Sequence, residues 1–177
     1  MPLAPARVPL FRFSPAWLLA LLSAAPALPA AAQTTPAGIV VSGPGLAQPA
    51  HLSPAQLSKL PHLQVTRPDH DGKKRTYSGV SLQAVLAAAG AELGEKLPRK
   101  GVAHYLTARA ADGYLAVFAL AELDPAFAPR TVLLADRCDG QPLAAKDGPY
   151  EIIVPEEKKM GRCVRQVQSL RIEAAKP

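Results

Sequence analysis

After residue 38 the chain is a succession of short apolar or alternating runs set between Gly, Pro and Asp breakers, a pattern of strands rather than long helices. Residues 39–41 open it as a short strand, ended by the Ser-Gly-Pro-Gly cluster at 42–45. Residues 62–67 alternate, which predicts a strand with Leu63 and Val65 inward. A polar turn around Asp71 and Gly72 returns the chain as a strand over 75–78, which Gly79 breaks. Residues 103–109 and 114–120 flank Asp112 and Gly113, the strongest hairpin signal present. Further strands are predicted over 131–136, 150–154 and 169–173, the last with Leu170 and Ile172 inward. Pro155 ends the second of these, because proline has no N–H to donate to a ladder.

Two short helices interrupt the strands. Ser53 followed by Pro54 and Gln56 makes a capping box, and Pro61 forces that helix to end by Leu60. Ser81 caps a second helix over 82–89, whose Leu82, Val85, Leu86 and Ala89 fall on one face. Gly90 stands where a left-handed residue belongs. Seven or so strands and two helices predict an α+β, mainly β fold in a single domain over 38–177.

The first 32 residues read differently. Arg7 and Arg12 precede the apolar run 16–22, and Ala30 to Ala32 offer small residues for cleavage, the plan of a signal peptide. A membrane anchor is the competing reading, but Pro26 and Pro29 interrupt a stretch already shorter than the ~20 residues a span requires. Residues 33–37 form a polar lead-in. The expectation is a periplasmic or secreted protein with no membrane span after signal removal.

Without Arg7 and Arg12 the excess of basic over acidic residues falls from six to four. That excess is too small, and too little interleaved with aromatics, to argue for nucleic acid. Two cysteines, Cys138 and Cys163, remain for an oxidising compartment. His70 between Asp69 and Asp71 suggests a metal ligand, but an exposed turn accounts for it better, since no second His lies at ligand spacing. No Ser-His-Asp set or phosphate loop is visible.

The order and spacing of several segments resemble the catalytic, molybdopterin-binding domain of the sulfite oxidase family. They are Tyr77 through Leu82 with Val85 and Leu86; Asp112-Gly113-Tyr114; Leu134 to Asp136; Asp139-Gly140; Gly148-Pro149; Ile152 to Pro155; and Gly161 through Arg165. The resemblance spans roughly 63–173 and implies a sulfite-oxidase-like fold. It also implies that Arg162 and Arg165, matching two family lysines, contact the terminal phosphate of molybdopterin, a task suited to guanidinium forks. The family's molybdenum-ligating Cys would fall near Arg67, and no Cys precedes Cys138. The cofactor is thus unknown: molybdopterin follows from the resemblance, its metal ligand does not.

The leading expectation is an exported, non-catalytic binding module for a small anionic ligand or a periplasmic protein partner. A true molybdopterin-dependent oxidoreductase and a thiol-redox protein are the alternatives, so enzymatic activity is open. A basic edge that protects a strand is the rival account of Arg162 and Arg165. For Cys138 and Cys163, which both depart from the family pattern, a disulfide stands against two separate small core residues, with Cys163 acidified by Arg162 and Arg165.

Overall fold

The structure, a computed structural model, describes residues 38–69, 71–93 and 99–176. The expected signal peptide, the lead-in, and His70 with its metal-ligand reading lie outside the described residues, and so do residues 94–98 between the second helix and the strongest hairpin.

Ten strands, two short α-helices and two 3-10 turns, Arg99–Ala103 and Leu120–Leu123, make up the regular structure of the described residues. They run β1 (Ile39–Ser42), β2 (Ala50–Leu52), α1 (Pro54–Leu57), β3 (His62–Pro68), β4 (Lys74–Ser81) and α2 (Leu82–Ala88). There follow β5 (His104–Ala110), β6 (Leu115–Ala119), β7 (Leu133–Cys138), β8 (Gln141–Pro142), β9 (Glu151–Ile153) and β10 (Val167–Ala174). The fold is mainly β, as the breaker pattern predicts. The three-residue β2 and two-residue β8 are too short to leave a periodic signature.

One sheet has the order β2-β1-β10-β5-β6, with β1 parallel to β10 and the other pairs antiparallel. The other runs β3-β4-β7-β8, and β9 also pairs with β7. The main core draws Ile39, Leu106, Phe118, Leu170 and Ile172 from the first sheet, Val80, Leu134 and Ile152 from the second, and Leu82, Val85 and Leu86 from α2. The alternate residues of the second sheet, Tyr77, Leu133, Ala135 and Ile153, form a smaller cluster. This sheet is therefore apolar on both faces, and the smaller cluster supports the candidate site.

Both caps form as predicted. The Gln56 N–H donates to Ser53 Oγ at 3.3 Å while the Ser53 N–H donates to Gln56 Oε1 at 2.9 Å. Ser81 Oγ accepts from the Ala84 N–H at 3.1 Å, and Gly90 adopts φ +92° beyond the helix end.

Two expectations are corrected. Leu63 is 42% exposed and Val65 only half-buried, because β3 is an edge strand; its buried residue is Arg67. Nor does Gly79 break its strand: β4 runs on to Ser81 through a register shift at Ser78/Gly79. A Cβ on Gly79 would lie 2.1 Å from the Leu134 carbonyl oxygen, so the glycine is what lets β7 approach.

Candidate functional site

Above the smaller cluster opens a cleft of about 370 Å³. Its floor comes from alternate residues on three strands: Tyr77 of β4, Cys138 of β7 and Glu151 of β9. Asp69, just past β3, and the 139–147 segment wall it on two sides, with Arg165 on another. Register explains the convergence, since Tyr77 pairs with Cys138 and Ala135 with Glu151.

Glu151 and Tyr77 are the unusual members. Each is only 3% exposed, and neither the carboxyl nor the hydroxyl makes a hydrogen bond with a described residue. Burial pushes the Glu151 carboxyl up to about 7; Asp147 and Asp69 add to the rise, while Arg165 and Arg67 oppose it. The Tyr77 hydroxyl is raised too, first by burial and then by the charge of Glu151. Buried glutamates are ordinarily paired, so a nearly unbonded one on a cleft floor is a group held ready for something.

The cations around them are partly committed. Arg75 is bound by Asp139 at 3.1 Å and Asp71 at 3.7 Å across the mouth. Asp139 also accepts from the Thr76 N–H, and these two contacts hold its carboxyl below the usual range. Arg165 uses only its Nε, 3.2 Å from Asp147 and 3.8 Å from Glu151. Its two terminal nitrogens hydrogen-bond to no described residue. Lys146 lies exposed at the rim.

Arg162, expected beside Arg165 at an anion, faces elsewhere. Its Nη1 donates to Glu122 at 2.7 Å and to the Val117 carbonyl at 3.2 Å, and its Nε donates to Glu157 at 2.8 Å. The guanidinium also lies 4.8 Å over the Phe118 ring. With two carboxylates, a carbonyl and an aromatic face, Arg162 ties the 156–165 segment to the edge strand β6. Of the two arginines only Arg165 lines the cleft.

Both cysteines are free thiols. Cys138 ends β7 at the cleft floor, whereas the Cys163 sulfur accepts from Arg67 Nη1 at 3.0 Å. Burial raises both thiols, outweighing Arg75 at Cys138 and, at Cys163, the Val154 N–H and Arg67. The expected acidification of Cys163 by Arg162 and Arg165 is thus corrected twice: the neighbouring arginine is Arg67, and the net shift is upward.

Arg67 itself is buried to 3% exposure and hydrogen-bonded at each of its three nitrogens. Nη1 also donates to the Val154 carbonyl at 2.7 Å, Nη2 to Glu157 O at 3.3 Å and Nε to Pro68 O at 3.2 Å. The resemblance puts molybdenum's thiolate ligand near this residue. A buried guanidinium there offers no lone pair and carries the wrong charge for a metal, so the residues present do not fit a molybdenum centre. Among the described residues no three His, Cys, Asp or Glu side chains gather closely enough to hold a metal ion.

The sequence carried signals for the residues it did not single out. Glu151 is a lone charge inside the predicted strand 150–154, and Arg67 is a charge at an inward parity position of β3. Each marks a polar group carried into a buried layer.

No protein-family model matches the chain, and no curated protein matches its sequence. Among solved structures it is similar to the crystal structure of the sulfane dehydrogenase SoxCD from Paracoccus pantotrophus, at 18% identity with a TM-score of 0.61. The superposition covers 80% of this chain and 39% of that one, so the chain spans about two-fifths of that protein's length. At this identity the likeness concerns the fold alone, and the fold is sulfite-oxidase-like: mainly β, with few helices.

Proposed function

We propose that the chain is an exported, non-catalytic binding module that keeps a sulfite-oxidase-like fold and holds a small anion without molybdenum chemistry. Arg67 carries this reading: a buried guanidinium, bonded by three carbonyls and a thiol, stands near where the resemblance calls for the metal's thiolate. Fold does not carry function with it, and the lost ligand outweighs the retained scaffold. The cleft supports the binding half. Arg165 has two uncommitted nitrogens, Lys146 lies at the rim and the Tyr77 hydroxyl faces inward, so unengaged donors converge on one space. Arg162 drops out of the anion site expected from the sequence and takes the role of edge clamp. A thiol-redox role gains no support from two thiols both pushed upward. Export rests on the signal-like residues 1–32.

The test is twofold. Protein recovered from the native periplasm should carry neither molybdenum nor pterin by elemental analysis and fluorescence; stoichiometric molybdenum would overturn the reading. Sulfate titrated at pH 6 and low ionic strength should bind saturably, and Arg165→Ala should abolish binding. Each charge-assisted contact is worth about 1.5–3 kcal/mol. A wild-type protein without saturable sulfate binding would return the basic residues to a purely structural role.

A further inference from the structure

We propose that the anion enters this cleft together with one proton, taken from solvent and held on the Glu151 carboxyl while the ligand is bound. The inference rests on the anion-site reading above and adds the regulation of that site: occupancy is set by pH. Three observations carry it. First, Glu151 is on the floor of the cleft, 3% exposed, with no hydrogen bond to a described residue. Its one ionic contact among the described residues is the Arg165 Nε at 3.8 Å, beyond hydrogen-bond reach. Second, that same Nε is already shared with Asp147 at 3.2 Å, so one guanidinium faces two carboxylates before any ligand arrives. Third, the other acids of the cleft are engaged while donors stand open. Asp139 is held by Arg75 and the Thr76 N–H, and Asp147 by Arg165, whereas the Tyr77 hydroxyl and the terminal nitrogens of Arg165 are uncommitted.

An incoming anion therefore meets open donors at Tyr77, Lys146 and Arg165, and beside them the carboxylates Asp139 and Asp147, each already held by an arginine. Ionised, Glu151 would place a further negative charge beside the ligand in a poorly hydrated floor; protonated, it becomes an O–H donor. The groups facing it from each packed element are Arg67 from β3, Asp69 beyond it, Tyr77 from β4, Cys138 from β7, Asp147 before β9, and Arg165 with Cys163 after it. Of the ionic groups, Asp147 and Asp69 favour the protonated form, and Arg165 and Arg67 the ionised one. With the free carboxyl pushed up to about 7, the proton is half present at neutrality, and ligand binding completes its uptake. The chemical step is protonation of one carboxylate oxygen; no other bond changes.

An organic cation is the opposite case. It would bind the ionised carboxylate, release a proton and gain affinity as pH rises, so the sign of the pH dependence separates the two.

Sulfate is a suitable probe because it does not titrate between pH 6 and 8.5. At constant ionic strength, its affinity for the wild type should fall tenfold or more, roughly, from pH 6 to 8.5. Calorimetry in two buffers of different ionisation enthalpy should register uptake of most of one proton per sulfate at pH 8.5 and little at pH 6. Glu151→Gln, a permanent mimic of the protonated acid, should bind sulfate equally at both pH values and take up no proton. The wild-type proton count stands without the variant, should that fail to fold. Sulfate binding that is unchanged with pH, or that strengthens as pH rises, would overturn the inference and leave the anion site intact. Absence of sulfate binding at either pH would remove both.

Discussion

A single carboxyl on the cleft floor shapes how the folded protein responds as pH rises toward neutrality and beyond. The Glu151 carboxyl is raised from 4.5 to about 7 on folding, so the native state binds its proton more tightly than the unfolded chain does. The stability it contributes is fully present below about pH 4.5 and lost as pH rises through 7, an effect of about 3 kcal/mol. Glu151→Gln should therefore flatten the decline of stability between pH 5 and 8, measured by urea unfolding in ligand-free buffer. An unchanged slope in the variant would assign the decline to another group. Arg67 is the other decisive residue. Arg67→Met keeps the bulk but leaves the Val154 and Glu157 carbonyls unpaired, and should cost about 3 kcal/mol. Lysine at that position should recover little, since one ammonium cannot reach acceptors spread around a planar fork. Urea midpoints for the two variants check this ordering.

At the scale of elements, the clamp made by Arg162 joins three parts of the chain. Glu122 lies in the 3-10 turn Leu120–Leu123, Glu157 in the segment after β9, and Val117 on β6. Arg130 adds a second guanidinium on Glu122 at 2.7 Å. Burial pushes the Glu122 carboxyl up, but the Arg162 hydrogen bonds and charge, the Ala119 N–H and Arg130 outweigh it and hold it below its ordinary value. Its stabilisation is present above about pH 4.5 and lost as pH falls below that, the reverse of Glu151. Glu122→Gln should cost about 2 kcal/mol at pH 6 and make the protein less sensitive to acid, read as a thermal midpoint at pH 6 and 3.5. Elements of this kind were unevenly legible in the sequence. Capped helices and the β5–β6 hairpin were plain, because local chemistry specifies Ser53, Gln56, Ser81, Gly90 and Gly113. The parallel partnership of β1 and β10 was not, since strands more than a hundred residues apart are paired by packing rather than by anything local. The site was half legible: Arg165 is found by resemblance, whereas the division of labour between Arg162 and Arg165 depends on which carboxylates the fold brings to each.

For the molecule as a whole, the two carboxyls set opposing slopes, so the ligand-free protein should be most stable in mildly acidic solution. The second sheet is apolar on both faces, and its smaller cluster lets polar groups sit on a rigid floor rather than on loops. That arrangement suits selective binding, because the floor need not reorganise when a ligand arrives.

The place of β10 in the first sheet has a bearing on the order of assembly. It is the last of the described strands to be synthesised, yet it is the central one of its sheet, bonded to β1 on one side and β5 on the other. Until it is available, β2-β1 and β5-β6 are two separate hairpins, each marginal alone. In a nascent chain the first sheet therefore stays open and closes late, through contacts that span nearly the whole domain. Removal of residues 167–176 should leave a chain without a cooperative unfolding transition, whereas the same truncation with those ten residues supplied as a separate peptide should regain one.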